Sequence, residues 1–180
     1  MSWNWQRPEW PGFTWSAARF TKAEEQFLLG SGVFVGSVKH LHEEDKDQLI
    51  IESMSTEAVT TSEIEGEILD RASVQSSIRR QLGFSADQNR IRPAEQGIAE
   101  MMVDLHKTFA DPLTDERLFA WHRMLMAARH DLKDIGRYRS HDDPMQVVSG
   151  PIHAPKVHFE APPLARIPKE MEQFIDWFNR

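Results

Sequence analysis

Apolar residues recur at steps of three and four along most of this chain, and that period predicts helices. Ser16 is a candidate cap for a first helix running through about Gly30, with Phe20, Ala23, Phe27 and Leu28 near one face. Gly30, Gly32 and Gly36 interrupt the following Val33-Phe34-Val35, so the pattern leaves that boundary open. His40-Leu41-His42 falls on helical sequence, where i and i+2 point to different faces and make a poor chelate. Asp45 to about Glu65 reads as a helix with Leu49, Ile50, Met54 and Ala58 inward and Glu52, Ser55, Thr56 and Glu63 outward. A second helix follows Gly66, from about Glu67 to Leu82, and Gly83 ends it. Arg92-Pro93 opens the next, with Pro93 at the tolerated first position. Its stripe is Ile98, Met101, Met102, Leu105 and Phe109. Thr114 caps another helix, with Leu118, Trp121, Leu125 and Ala128 inward.

From Gly136 to Pro163 the period changes. Val147-Val148 and Val157-His158-Phe159, separated by Ser149-Gly150-Pro151, read as a hairpin, and Pro155 confines it to an edge. A last helix starts at Pro168 with Met171, Phe174, Ile175 and Phe178 on one face. It carries no stop signal of its own, which predicts a chain cut within a longer protein. The fold class expected is all-α, a helical bundle with a small β-hairpin. Trp3, Trp5, Trp10 and Trp15 crowd a segment that Pro8, Pro11 and Gly12 keep from being one helix. Such an arm is ordered only by laying its indoles on something apolar.

Composition narrows the function. A net charge of −7 excludes a general binder of phosphate backbones. With no cysteine, disulfides and thiolate metal sites are impossible. No apolar run reaches the roughly 20 residues of a membrane span, and the start lacks the basic and apolar regions of a signal peptide. A cytoplasmic protein without membrane or nucleic-acid partners is expected. No Gly-rich phosphate loop or local Ser-His-Asp signature is present. His141-Asp142-Asp143 reads as loop, and His153 and His158 flank the hairpin. Gly136-Arg137-Tyr138-Arg139 is either an anion site or a turn held by ion pairs.

The most informative stretch is Thr61-Ser62-Glu63-Ile64-Glu65-Gly66. On a helix Thr61 and Glu65 share a face, and Gly66 ends the helix; a capped helix end alone predicts the same letters. Taken with the rest, the order of parts resembles a Fic-family protein whose inhibitory helix precedes the catalytic core. Trp3-Asn4-Trp5-Gln6 and Trp10 to Trp15 resemble the Trp-rich domain ahead of many Fic cores. Thr61 to Gly66 matches the inhibitory motif Ser/Thr-x-x-x-Glu-Gly/Asn. Leu113-Thr114 to Met126 is similar to a core helix, Gly136 to Arg139 to the entry of the flap, and Val147 to Pro163 to the flap and its Pro-Pro exit.

The resemblance implies residues 1–44 as a Trp-rich helical domain, 45–66 as the inhibitory helix and 67–180 as the first part of a Fic core, with a flap at about 145–160. It implies transfer of AMP from ATP, with Mg2+, onto a Ser, Thr or Tyr hydroxyl of a target protein. It assigns Glu65 as the inhibitory carboxylate, which would take the last arginine of the catalytic motif and exclude the γ-phosphate, with Thr61 and Gly66 fixing the helix end. Val147, Val148, Val157, His158 and Phe159 would align the target by strand addition. The catalytic loop His-x-Phe-x-Asp/Glu-Gly/Ala-Asn-Gly-Arg-x-x-Arg does not occur in these residues. The chain alone is therefore expected to be inactive and to hold neither ATP nor Mg2+, with catalytic and metal-ligating residues beyond Arg180. AMP removal by the same fold is equally compatible, as is a homo-oligomer. The alternative is a non-enzymatic helical interaction or inhibitory partner protein.

Overall fold

The computed structural model describes residues 2–86 and 91–180. Among them are six α-helices and one two-stranded antiparallel sheet, so the fold is helical with a small hairpin. The helices are α1 (Thr21–Val38), α2 (Glu43–Ile64), α3 (Arg71–Gln81), α4 (Pro93–Thr108), α5 (Asp115–Leu125) and α6 (Ile167–Phe178). The strands are β1 (Gln146–Ser149) and β2 (Lys156–Glu160). No helix is long and apolar enough to cross a membrane among these residues. The chain forms two compact units, residues 1–41 with 140–171 and residues 42–139 with 172–180.

The second unit holds the core. Ile51, Met54 and Ala58 of α2 meet Val74 and Ile78 of α3 and Ile98, Ala99, Met102 and Val103 of α4. The inward face of α2 differs from the expected one: Leu49 is exposed, and Ile51 and Ser55 are buried instead. The polar Ser55 is tolerated because its hydroxyl donates to the Ile51 carbonyl at 2.6 Å. The α4 stripe is buried at Ile98 and Met102, whereas Leu105 and Phe109 are exposed at its far end. Phe109 is the C-cap, beyond the last turn that packs.

Glu95 is 2% exposed and fully satisfied. It accepts the Asp70 N–H at 3.1 Å, the Ser73 hydroxyl at 2.7 Å and the Arg92 N–H at 3.2 Å, at the N-terminal ends of α3 and α4. Those ends carry the positive poles of the helix dipoles, so a carboxylate is favoured there. Two residues on, Gly97 lets α4 approach the end of α5; a Cβ there would lie 2.0 Å from the Met124 carbonyl oxygen. Thr114 caps α5 through the Arg117 N–H at 3.3 Å, as the sequence predicts, and Trp121 donates to Asp104 at 2.7 Å. Ala128 lies past the end of α5 and is exposed. Asn179, just past the end of α6, bonds back to the chain before α5. Its carboxamide accepts the Leu113 N–H at 2.8 Å and donates to the Leu113 carbonyl at 2.9 Å.

In the first unit the tryptophan arm packs as a strap. Trp5 is buried, donates to the Glu160 carbonyl at 2.6 Å and carries the Arg166 guanidinium 5.0 Å from its ring centroid. Trp10 donates to Glu170 at 2.9 Å, whereas Trp15 is exposed. Ser16 caps only the 3-10 turn Ala17–Arg19, without a side-chain bond, and α1 begins at Thr21. It continues through Gly30, Gly32 and Gly36, past the expected end, and buries none of its residues. His40-Leu41-His42 is not helical; His42 is the N-cap of α2.

Gly97→Ala should lower unfolding stability by about 2 kcal/mol or more, because backbone rather than a mobile side chain fills the space. Glu95→Ala should cost about 3 kcal/mol by stranding three donors. Chemical denaturation midpoints read both.

Candidate functional site

The end of α2 is built by its backbone. Gly66 has φ +86°, a left-handed conformation that favours glycine. Its N–H donates to the Glu63 carbonyl at 3.0 Å, and the Glu67 N–H donates to the Ser62 carbonyl at 2.8 Å. This pair of bonds is the Schellman closure of a helix, and the same arrangement at Gly83 ends α3. Thr61 accepts the Glu65 N–H on its carbonyl at 3.3 Å, while its hydroxyl donates to Glu57 at 3.1 Å. Thr61 thus fixes the main chain of Glu65 and leaves the carboxylate untouched.

That carboxylate is exposed and makes no hydrogen bond or ion pair among the described residues. Thr61, Ser62 and Glu65 line a cavity of about 330 Å³ with Leu69, Ile98, Met101, Leu125, Met126 and Arg129. Sequence reasoning read Met101 and Leu125 as core. Arg129 is the cation nearest in role, but Asp131 takes it in two parallel bonds of 2.8 Å. These bonds pull the Asp131 carboxyl down to about 2 and raise the guanidinium.

The flap residues lie together in the first unit. Val147 pairs with Phe159 and Val148 with Val157, with an irregularity between Val147 and Val148. All of β1 is exposed, and Val147 is 59% so. Val157 and Phe159 are half-buried, and Phe159 meets Trp3 edge-on at 5.9 Å. His158 points the other way, its Nε2 2.7 Å from the Ser149 hydroxyl. A two-stranded sheet leaves main-chain groups at its edges available for a further strand.

Gly136 to Arg139 proves to be a turn held by local bonds. Gly136, at φ +68°, donates to His122 Nδ1 at 3.1 Å, and Arg123 donates to its carbonyl at 3.1 Å. Arg137 pairs with Asp134 at 2.8 Å. Tyr138 donates its hydroxyl to Asp115 and stacks edge-on against Phe119 at 4.9 Å. No group of three or more His, Asp or Glu side chains is placed to hold a metal among the described residues.

Residues 3–84 match a family model described as a domain of unknown function, DUF4172. The match covers the tryptophan arm through α3 and includes Thr61, Glu65 and Gly66. Among curated proteins nothing matches the chain.

Burial raises the Tyr138 phenol above its ordinary value of 10, and the Asp115 hydrogen bond and nearby carboxylate charge raise it further. The folded state thus holds the proton more tightly than the unfolded one. The resulting stability is complete below pH 10 and is lost as pH rises beyond it. Tyr138 is the single tyrosine of the chain, so phenolate absorbance reports it alone. Ionisation should begin only above pH 10 and coincide with unfolding, and Tyr138→Phe should remove that alkaline dependence.

Proposed function

We propose that this chain is the regulatory and flap-bearing part of a cytoplasmic Fic-type protein adenylyltransferase, with Glu65 as its inhibitory carboxylate. The observation that supports it most is Glu65 itself, held by its main chain at a closed helix end with its carboxylate unpaired beside a cavity. A carboxylate so presented can take an arginine from another segment, and like charge then keeps a phosphate from the same place. The exposed hairpin suits strand addition of a target bearing a Ser, Thr or Tyr hydroxyl.

The cavity beside Glu65 does not by itself suit ATP or Mg2+. The cavity beside Glu65 is lined largely by Leu, Ile and Met side chains, and its arginine is already held by Asp131. Nucleotide and metal therefore belong to a catalytic loop of the His-x-Phe type, and the contribution of this chain is restraint and target alignment. A second reading, a helical interaction protein that acts on a separate chain, is favoured by the exposed apolar surface of α1.

The test is incorporation of AMP from ATP labelled at the α-phosphate, with Mg2+, by protein made from the natural reading frame. Glu65→Gly should raise self-labelling about tenfold or more, the scale of one charge-assisted pair. Equal labelling of variant and parent would remove Glu65 from the inhibitory role. No labelling by either would favour the second reading.

A further inference from the structure

α1 is an 18-residue helix with no buried residue. On the face that carries Gly32, Leu29 is 72% exposed, and Leu28 and Val35 are exposed as well. So much apolar surface on one helix marks an interaction site. One face is ordered by charge. Glu25, Leu28, Gly32, Val35 and Lys39 recur at steps of three and four, with Leu29 and Gly36 beside them. This face is apolar in the middle, acidic at the N-terminal end and basic at the C-terminal end. Neither Glu25 nor Lys39 makes an ion pair among the described residues.

From this we infer that α1 pairs antiparallel with α1 of a second copy of the chain, with Gly32 on the two-fold axis. In that register Glu25 meets the partner's Lys39, and Leu28 falls opposite the partner's Gly36. The glycines meet nothing within 4 Å in the single chain, so the space for Leu28 and for close backbone approach is open. Gly32 and Gly36 weaken an exposed helix, and a partner pressed against their missing side chains restores what they lose. A parallel pair is disfavoured because it would set Glu25 on Glu25 and Lys39 on Lys39. The contact is isologous and closes at two copies. Phe27 and Phe34 lie on the opposite side of α1 and take no part in it.

Light scattering behind size exclusion measures the mass of the 180-residue chain across concentrations. A dimer is expected. Glu25→Lys or Lys39→Glu alone should weaken it roughly tenfold by setting like charges opposite each other at two symmetric positions. The double exchange should restore it. The chain has no cysteine, so single cysteines give a second reading of register. Gly32→Cys should cross-link on oxidation. Glu25→Cys should not, because its two copies would lie about 21 Å apart along the helix axis, beyond disulfide reach. A monomer at every concentration overturns the inference. So does cross-linking through Glu25→Cys in place of Gly32→Cys, or a dimer lost with Phe34→Glu but kept with Leu28→Glu.

Discussion

A single buried carboxylate sets the frame of the helical core. Glu95 collects donors from the starts of α3 and α4, so the two helices begin beside one another. From that shared start Val74 and Ile78 of α3 and Ile98 and Val103 of α4 join Ile51 of α2 in one buried cluster. Gly97, in the same turn, sets the distance to α5. The cavity beside Glu65 inherits this order, since Ala94 and Ile98 line one part of it and Leu125 another. A charge in the core is tolerated because two of its donors are main-chain N–H groups that the helix starts leave unpaired, and the Ser73 hydroxyl supplies a third.

Much of the secondary structure was legible in the sequence. Thr114 and Pro93 announce helix starts by chemistry that acts within one turn, and Gly66 and Gly83 announce ends in the same way. The hairpin was legible for a similar reason, since alternation and turn residues are local. What escaped was decided by tertiary context. Ser55 reads as polar and outward, but its hydroxyl finds a carbonyl within its own helix and the residue can be buried. Nothing in the local sequence marks Glu95 as buried; only the fold brings Asp70 and Ser73 to it. The glycines of α1 suggested an end, yet helix hydrogen bonding carries the chain through all three.

The candidate site divides in the same way. Thr61, Glu65 and Gly66 were found because a motif spans six consecutive residues, and their spacing on a helix is fixed by geometry. The cavity next to them draws on three separate stretches of chain, and no local pattern signals that convergence. Gly136 to Arg139 was left between two readings, and ion pairing and hydrogen bonding with residues on α5 and the preceding loop give the turn.

The tryptophan strap has a consequence for how the chain is made. Trp5 bonds a residue 155 positions downstream, and Trp10 one 160 positions downstream. Between them lies nearly all of the helical unit, whose own contacts are closer in sequence. On a ribosome adding about 5–20 residues per second, the arm must wait roughly ten to thirty seconds for its partners. Throughout that interval the indoles of Trp5 and Trp10 lack the partners they hold in the folded chain. Residues 42–139 can begin to pack before the arm meets its partners, so during translation the arm needs chaperone shelter for longer than the helical core does.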